Sequence, residues 1–104
     1  MKKQIVYIAG PILNAPNYKR VFAEAAEVLA RHGYKVINPA EIDRVLVGAD
    51  ITEEDYKAAD MMLLKMADIM YMLPGWEKSV GARAERDWML SRRRPVKQFR
   101  EVPG

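Results

Sequence analysis

The 104-residue chain has no cysteine. That excludes disulfides, thiolate metal sites and a cysteine nucleophile together, and leaves the cytoplasm as the default compartment. There is one histidine, His32. No GxGxxG, GxxxxGK[ST], HExxH or GxSxG motif is present, so common dinucleotide, P-loop, zinc-protease and triad chemistry have no foothold. Long hydrophobic runs are also missing: none approaches the ~18 residues of a membrane span. "MKKQIVYIAG" starts like a signal peptide, but its apolar stretch is short, begins with Gln4 and runs into Gly10-Pro11 without a cleavage pattern. It reads as a first strand, and the chain as soluble, with no membrane partner. A strong charge of either sign is lacking as well. Lys+Arg of 17 against Asp+Glu of 14 gives a formal +3, scattered except for "RRR" at 92–94, which falls short of a nucleic-acid footprint.

What is there suits one compact domain over 1–104, with 50% hydrophobic residues and no repeat, linker or low-complexity tract. "QIVYIAG" is a short β-branched and aromatic run stopped by Gly-Pro, the pattern of a strand buried on both faces. "NYKRVFAEAAEVLARHG" places Tyr18, Val21, Phe22, Ala25, Val28 and Leu29 at helical spacing, with Gly33 where a left-handed cap belongs. "YKVINPA" supplies a second strand, and "EIDRVLVGAD" a surface loop. A second helix opens at Thr52, followed three places on by Asp55, and carries Tyr56, Ala59, Leu63 and Met66 on its apolar face. "DIMYML" is a third strand, "SVGARAERDWMLSRR" a third helix capped by Ser79, and "PVKQFR" a closing strand. Residues after about 100 read as a tail. The methionines, Met61, Met62 and Met66 included, are expected to fill the core. Alternating strands and helices predict a three-layer α/β sandwich: a flavodoxin-like (Rossmann-like) parallel sheet of about four strands with helices on both faces.

Such sheets bind ligands at the carboxyl ends of their strands, which directs attention to "AGPILNAPN", "NPAEID" and "PGWEKS". The turn into the third helix offers unpaired N–H groups, so "GWEKSVG" is a plausible anion cradle in which Ser79 either caps its helix or binds a phosphate. Gly81 costs roughly 1 kcal/mol inside a helix relative to alanine and so needs a reason. Gly81 and Ala82 precede Glu85 by four and three positions on one helix face. The Glu85 carboxylate thus projects over two minimal side chains, with room for something the size of a sugar ring. Read locally, Glu85 is either that or a solvated helix glutamate. Tyr7 and Asp60 read as a strand aromatic and a helix flank, His32 as a helix end suited to the dipole, and "RRR" as a solvated helix end. A carboxylate beside a sugar, with a second acid and a tyrosine, suits glycosidic cleavage.

"YIAGP", "NPA" and "AD" through "MLPGWEKSVGARAE" resemble a small phage and bacterial family of unknown function, of the DUF4406 type, that is similar to nucleoside 2-deoxyribosyltransferases and deoxynucleoside 5'-monophosphate N-glycosidases. The resemblance spans nearly the whole chain. It implies that Glu85 is the nucleophile that forms a glycosyl-enzyme intermediate, that Tyr7 orients it, and that Asp60 binds the sugar or assists departure of the base. It also implies a substrate contact for Gly10, Pro11, Asn38, Trp76, Ser79 and Gly81; Trp76, in the loop beside Ser79, either stacks on the base or covers the edge of the core. Six positions before the glutamate, transferases of free nucleosides commonly carry Asp, whereas Ser79 resembles the serine that contacts a 5'-phosphate. The resemblance further implies a homodimer or higher homo-oligomer acting on a small nucleoside or nucleotide, without metal or organic cofactor and without a nucleic-acid polymer as partner. The rival reading is a non-catalytic module of the same fold that binds or senses a nucleotide, with Glu85 accepting from a sugar hydroxyl.

Overall fold

Five residues, Ile5–Ala9, form β1, the strand on which the rest is assembled. In the computed structural model, which describes residues 3–99, it is followed by α1 (Tyr18–Arg31), β2 (Lys35–Ile37), a 3₁₀ turn (Pro39–Arg44), α2 (Glu53–Lys65), β3 (Ile69–Met72), a second 3₁₀ turn (Trp76–Lys78), α3 (Val80–Ser91) and β4 (Val96–Gln98). The tail expected after about 100 lies outside the described residues. All strand pairs are parallel and the order is β2-β1-β3-β4, a flavodoxin-like arrangement with helices on both faces. The order reverses between β1 and β3, so their carboxyl ends diverge into loops on opposite sides and open a crevice there.

Alternation along the strands sorts the core into two clusters. Val6 and Ile8 face α1, packing with Phe22, Ala25, Leu29, Ile69 and Leu73. Tyr7 and Ala9 face the other helices, packing with Leu64 of α2, Met70 and Met72 of β3, and Ala82 and Met89 of α3.

Local chemistry fixes the helix ends. Gly33 adopts φ +91° after α1, the left-handed conformation that glycine takes without strain. At α2 the capping box is complete: Thr52 Oγ1 accepts from Asp55 N at 3.1 Å, and Asp55 Oδ2 accepts from Thr52 N at 2.8 Å.

Three expectations need correction. Met62 and Met66 are 72% and 59% exposed and do not fill the core. Each stands two positions from Leu64, the buried residue of α2, hence ~200° around the helix from it. The apolar face of α2 is accordingly turned from the expected Tyr56–Met66 line toward Met61 and Leu64. A 3₁₀ turn, Pro39–Arg44, spans the end of the stretch read as the second strand, where it buries Pro39 and Ala40, and the start of the stretch read as a surface loop, whose Val45 and Val47 are exposed. The "RRR" run is not merely solvated: Arg94 Nη1 donates to the carbonyls of Lys65 and Ala67 at 2.9 and 2.8 Å, tying the end of α2 to the turn that leads into β4. Arg92 and Arg94 both lie over the Trp88 ring.

Candidate active site

The crevice at the ends of β1 and β3 is shaped by close backbone approach. Leu73 N donates to Ala9 O at 2.8 Å. A Cβ on Gly10 would stand 2.8 Å from Leu73 Cβ, closer than side chains tolerate, so only glycine lets the two loops meet. Gly75, at φ +88°, then turns the chain into the short 3₁₀ turn that delivers Ser79 to the start of α3. Ser79 caps that helix, its Oγ accepting from Ala82 N at 3.1 Å. The hydroxyl hydrogen stays free to donate.

With α3 so started, Ala82 turns inward against β1 and β3, and Glu85 follows on the same side one turn later. Tyr7, fully buried on β1, donates its hydroxyl to Glu85 Oε2 at 2.5 Å across 78 residues of chain. Burial, reinforced by the charges of Glu85 and Asp60, holds the Tyr7 phenol far above its ordinary range, so Tyr7 acts as a donor. Glu85 joins none of the ion pairs among the described residues. Its carboxyl is pushed up to about 7 by burial; the Tyr7 hydrogen bond pulls the other way, and the charge of Asp60 adds to the rise. Asp60 on α2 is pushed up to about 6 by burial. Its Oδ1 is buried without a hydrogen-bond partner, an acceptor left for a ligand hydroxyl, a water or a proton.

Tyr7, Gly10, Ile12, Pro39, Asp60 and Glu85 line a recess of about 20 Å³. That is about one water's worth of space, so a larger ligand would sit at its mouth with one group reaching in. Gly81, a turn before Glu85, is exposed, and a Cβ built there meets nothing within 4 Å. It occupies the second position of α3, in the first turn. The remaining expected contacts are more dispersed. Pro11 lines a separate cavity on the α1 side. Asn38 Oδ1 accepts from Ala40 N at 3.1 Å and starts the 3₁₀ turn that presents Pro39 to the recess. Trp76 packs on the Tyr7 cluster with the Arg86 guanidinium 5.1 Å from its ring centroid.

Tyr7, Asp60, Glu85 and Gly10 are therefore brought together. The sequence reading missed Ile12 and Pro39, apolar walls that stand inside the quoted "AGPILNAPN" and "NPA" stretches, and Arg86, whose partner lies ten residues away. Among the described residues no cluster of three or more His, Asp or Glu side chains is placed to hold a metal ion, and no helix is long and apolar enough to cross a membrane.

What this arrangement can do is bounded by its groups: a hydrogen-bonded carboxylate to attack or to accept, a second carboxyl able to hold a proton near neutral pH, and a phenol that orients the first. No curated protein matches the chain. Residues 4–98 match the family described as a domain of unknown function, DUF4406. The chain belongs to that family.

Proposed function

We propose that this DUF4406 member cleaves the N-glycosidic bond of a nucleoside or nucleoside 5'-monophosphate, by hydrolysis or deoxyribosyl transfer, through a covalent glycosyl-Glu85 intermediate. The observation that carries the reading is the Tyr7–Glu85 hydrogen bond with the unpartnered Asp60 oxygen in the same recess. The resemblance to nucleoside 2-deoxyribosyltransferases read from the sequence motifs favours the same assignment.

In this reading the pair of carboxyls works with one proton between them. Burial favours the proton on Glu85, so the reacting form is the minor one-proton arrangement, with the proton on Asp60 and Glu85 anionic; steered by Tyr7, Glu85 then attacks C1' through an oxocarbenium-like state. The C1'–O bond to Glu85 forms as the C1'–N bond breaks, and its electron pair leaves with the base, which takes the proton of Asp60. Water or a second base then attacks C1', releases Glu85 as the carboxylate and returns a proton to Asp60. The Ser79 hydroxyl, at a helix N-terminus, suits a 5'-phosphate, where an aspartate would repel it. A homo-oligomer is part of the proposal, since the recess by itself is shallow and a neighbouring subunit would close its mouth.

The test is release of free base, followed by chromatography, from ribo- and deoxyribonucleosides and their 5'-monophosphates, with Glu85→Ala alongside. Release that requires Glu85 is the expected result, with monophosphates preferred. No release from any substrate, with a second base supplied as acceptor, would replace the reading with a nucleotide-binding module.

A further inference from the structure

A second concavity at the carboxyl end of the sheet takes no part in the carboxylate chemistry. A cavity of about 210 Å³ opens on the α1 side, walled chiefly by Pro11, Pro16, Tyr18, Leu73 and Pro74, with Asn17 among its lining residues. Gly10 and Ile12, the neighbours of Pro11, line the recess at Glu85, and Phe22 lines both spaces. One three-residue segment thus divides them.

The two spaces differ in chemistry. The recess gathers two carboxyls and a phenol; the cavity offers flat apolar surfaces and no charged group among its lining residues. Tyr18 stands edge-on to Phe22, centroids 6.4 Å apart at 86°, which fixes the plane its ring presents. Asn17 occupies the N-cap position of α1, yet its side chain makes no capping hydrogen bond. Asparagine at that position ordinarily spends its oxygen on the first turn. Here the amide keeps both a donor and an acceptor for something else.

We propose that this cavity seats the nucleobase: a planar heterocycle packed against the Pro11–Pro74 wall and the Tyr18 ring, its edge read by the Asn17 amide, with the sugar reaching over Gly10–Ile12 to Glu85. An amide matches the adjacent donor and acceptor of a base edge in a two-point contact. The cavity has about ten times the space of the recess, room for a one- or two-ring heterocycle. A phosphate would find no cation in the wall. The placement of the sugar rests on the glycosidase reading, whereas the seat for the ring is tested without it.

The full chain is titrated with free adenine, guanine, cytosine and thymine while backbone amide resonances are followed by NMR, with 2-deoxyribose 5-phosphate as the probe that lacks a base. At least one base is expected to shift the Asn17, Tyr18 and Leu73 amides saturably, and the sugar phosphate to leave them in place. Ala15→Trp fills the cavity from its loop and should abolish base binding. Asn17→Ala removes an amide that caps nothing, so it should leave stability unchanged, weaken the preferred base by about three- to tenfold and flatten the ranking among bases. If Ala15→Trp does not fold, Asn17→Ala decides. No shift with any base, shifts confined to the Glu85 recess, or full affinity and ranking in Asn17→Ala would overturn the assignment. Base binding at the cavity without base release would sink the glycosidase reading and keep the seat; Glu85-dependent release with shifts elsewhere would do the reverse.

Discussion

On the α1 side of the sheet, Val6 and Ile8 of β1 meet Phe22, Ala25 and Leu29 in an aliphatic and aromatic cluster with no titratable group among its buried members. One residue along the same strand, Tyr7 and Ala9 point to the α2/α3 side, where the packing is done by Met70, Met72, Met89 and alanines, and where Glu85 and Asp60 reach in. The α1 face uses large, well-shaped groups that stabilise the fold. The opposite face holds a wholly buried phenol and two carboxyls whose ionisation burial opposes, an arrangement that weakens the fold and that the proposed chemistry would use. Substitutions on the two faces should therefore fail in different ways.

The largest difference is expected from Glu85→Gln. Amide for carboxylate keeps shape and removes the proposed nucleophile, so the proposed base release should fall by at least ~10³-fold while the chain folds. Full activity in that variant would erase the contrast. Leu29→Ala on the α1 face, at a residue that lines neither the recess nor the cavity, should do the opposite: a cost of about 2–5 kcal/mol, read as a lower urea midpoint, with turnover per folded molecule close to wild type. Turnover lost from a variant still folded would mean that the faces are not separable.

The sequence made the scaffold legible because its signals are local. The β-branched runs, the helical spacing of Phe22, Ala25 and Leu29, and the caps at Gly33, Thr52 and Ser79 are each written within a few residues. The phase of α2 was not, because Ala59, Met61, Met62, Leu63 and Leu64 place apolar groups around most of its circumference. The two 3₁₀ turns are a few residues long and have no period to read. At the site, Glu85 could be singled out from the small residues before it. Its bond to Tyr7 spans the chain and entered only through the family resemblance, as did the role of Asp60. The unpartnered Asp60 oxygen and the Arg94 contacts with α2 carbonyls arise from packing, which no spacing rule encodes.

Proton linkage gives a smaller effect that separates the faces in one titration. Both carboxyls sit above their ordinary range when folded, Asp60 up to about 6 and Glu85 up to about 7, so the folded chain binds more protons than the unfolded one. Stability should be greatest near pH 4 and fall as pH rises through 6 and 7, by on the order of 3–4 kcal/mol, most of it from Glu85 once the partial exposure of Asp60 is discounted. Urea midpoints at pH 5 and pH 8 measure it. Glu85→Gln should flatten the slope, and Leu29→Ala should lower the whole curve without changing it. A wild-type midpoint that rises from pH 5 to pH 8 would contradict the buried pair. The one-proton mechanism adds a bell-shaped kcat/KM with apparent values near 6 and 7 that belong to the pair, and Asp60→Asn should remove the high-pH limb.

Gly81→Ala carries the smallest energetic effect and the finest test. A Cβ there meets nothing within 4 Å, and the backbone of Gly81 is not in the left-handed region, so alanine fits the folded chain without strain. The first turn of a helix also demands less of its residues than the interior does. Alanine should raise stability by at most ~1 kcal/mol, the propensity difference, seen as a Tm increase of a few degrees. A residue of the ordinary scaffold would show that gain and nothing else. If the open space over Gly81 is where substrate lies against α3, the same methyl group must raise KM while leaving the fold firmer, so that stability and activity move in opposite directions. Gain of both, or gain with unchanged KM, would confine the site to the Tyr7–Asp60–Glu85 recess and remove Gly81 from it.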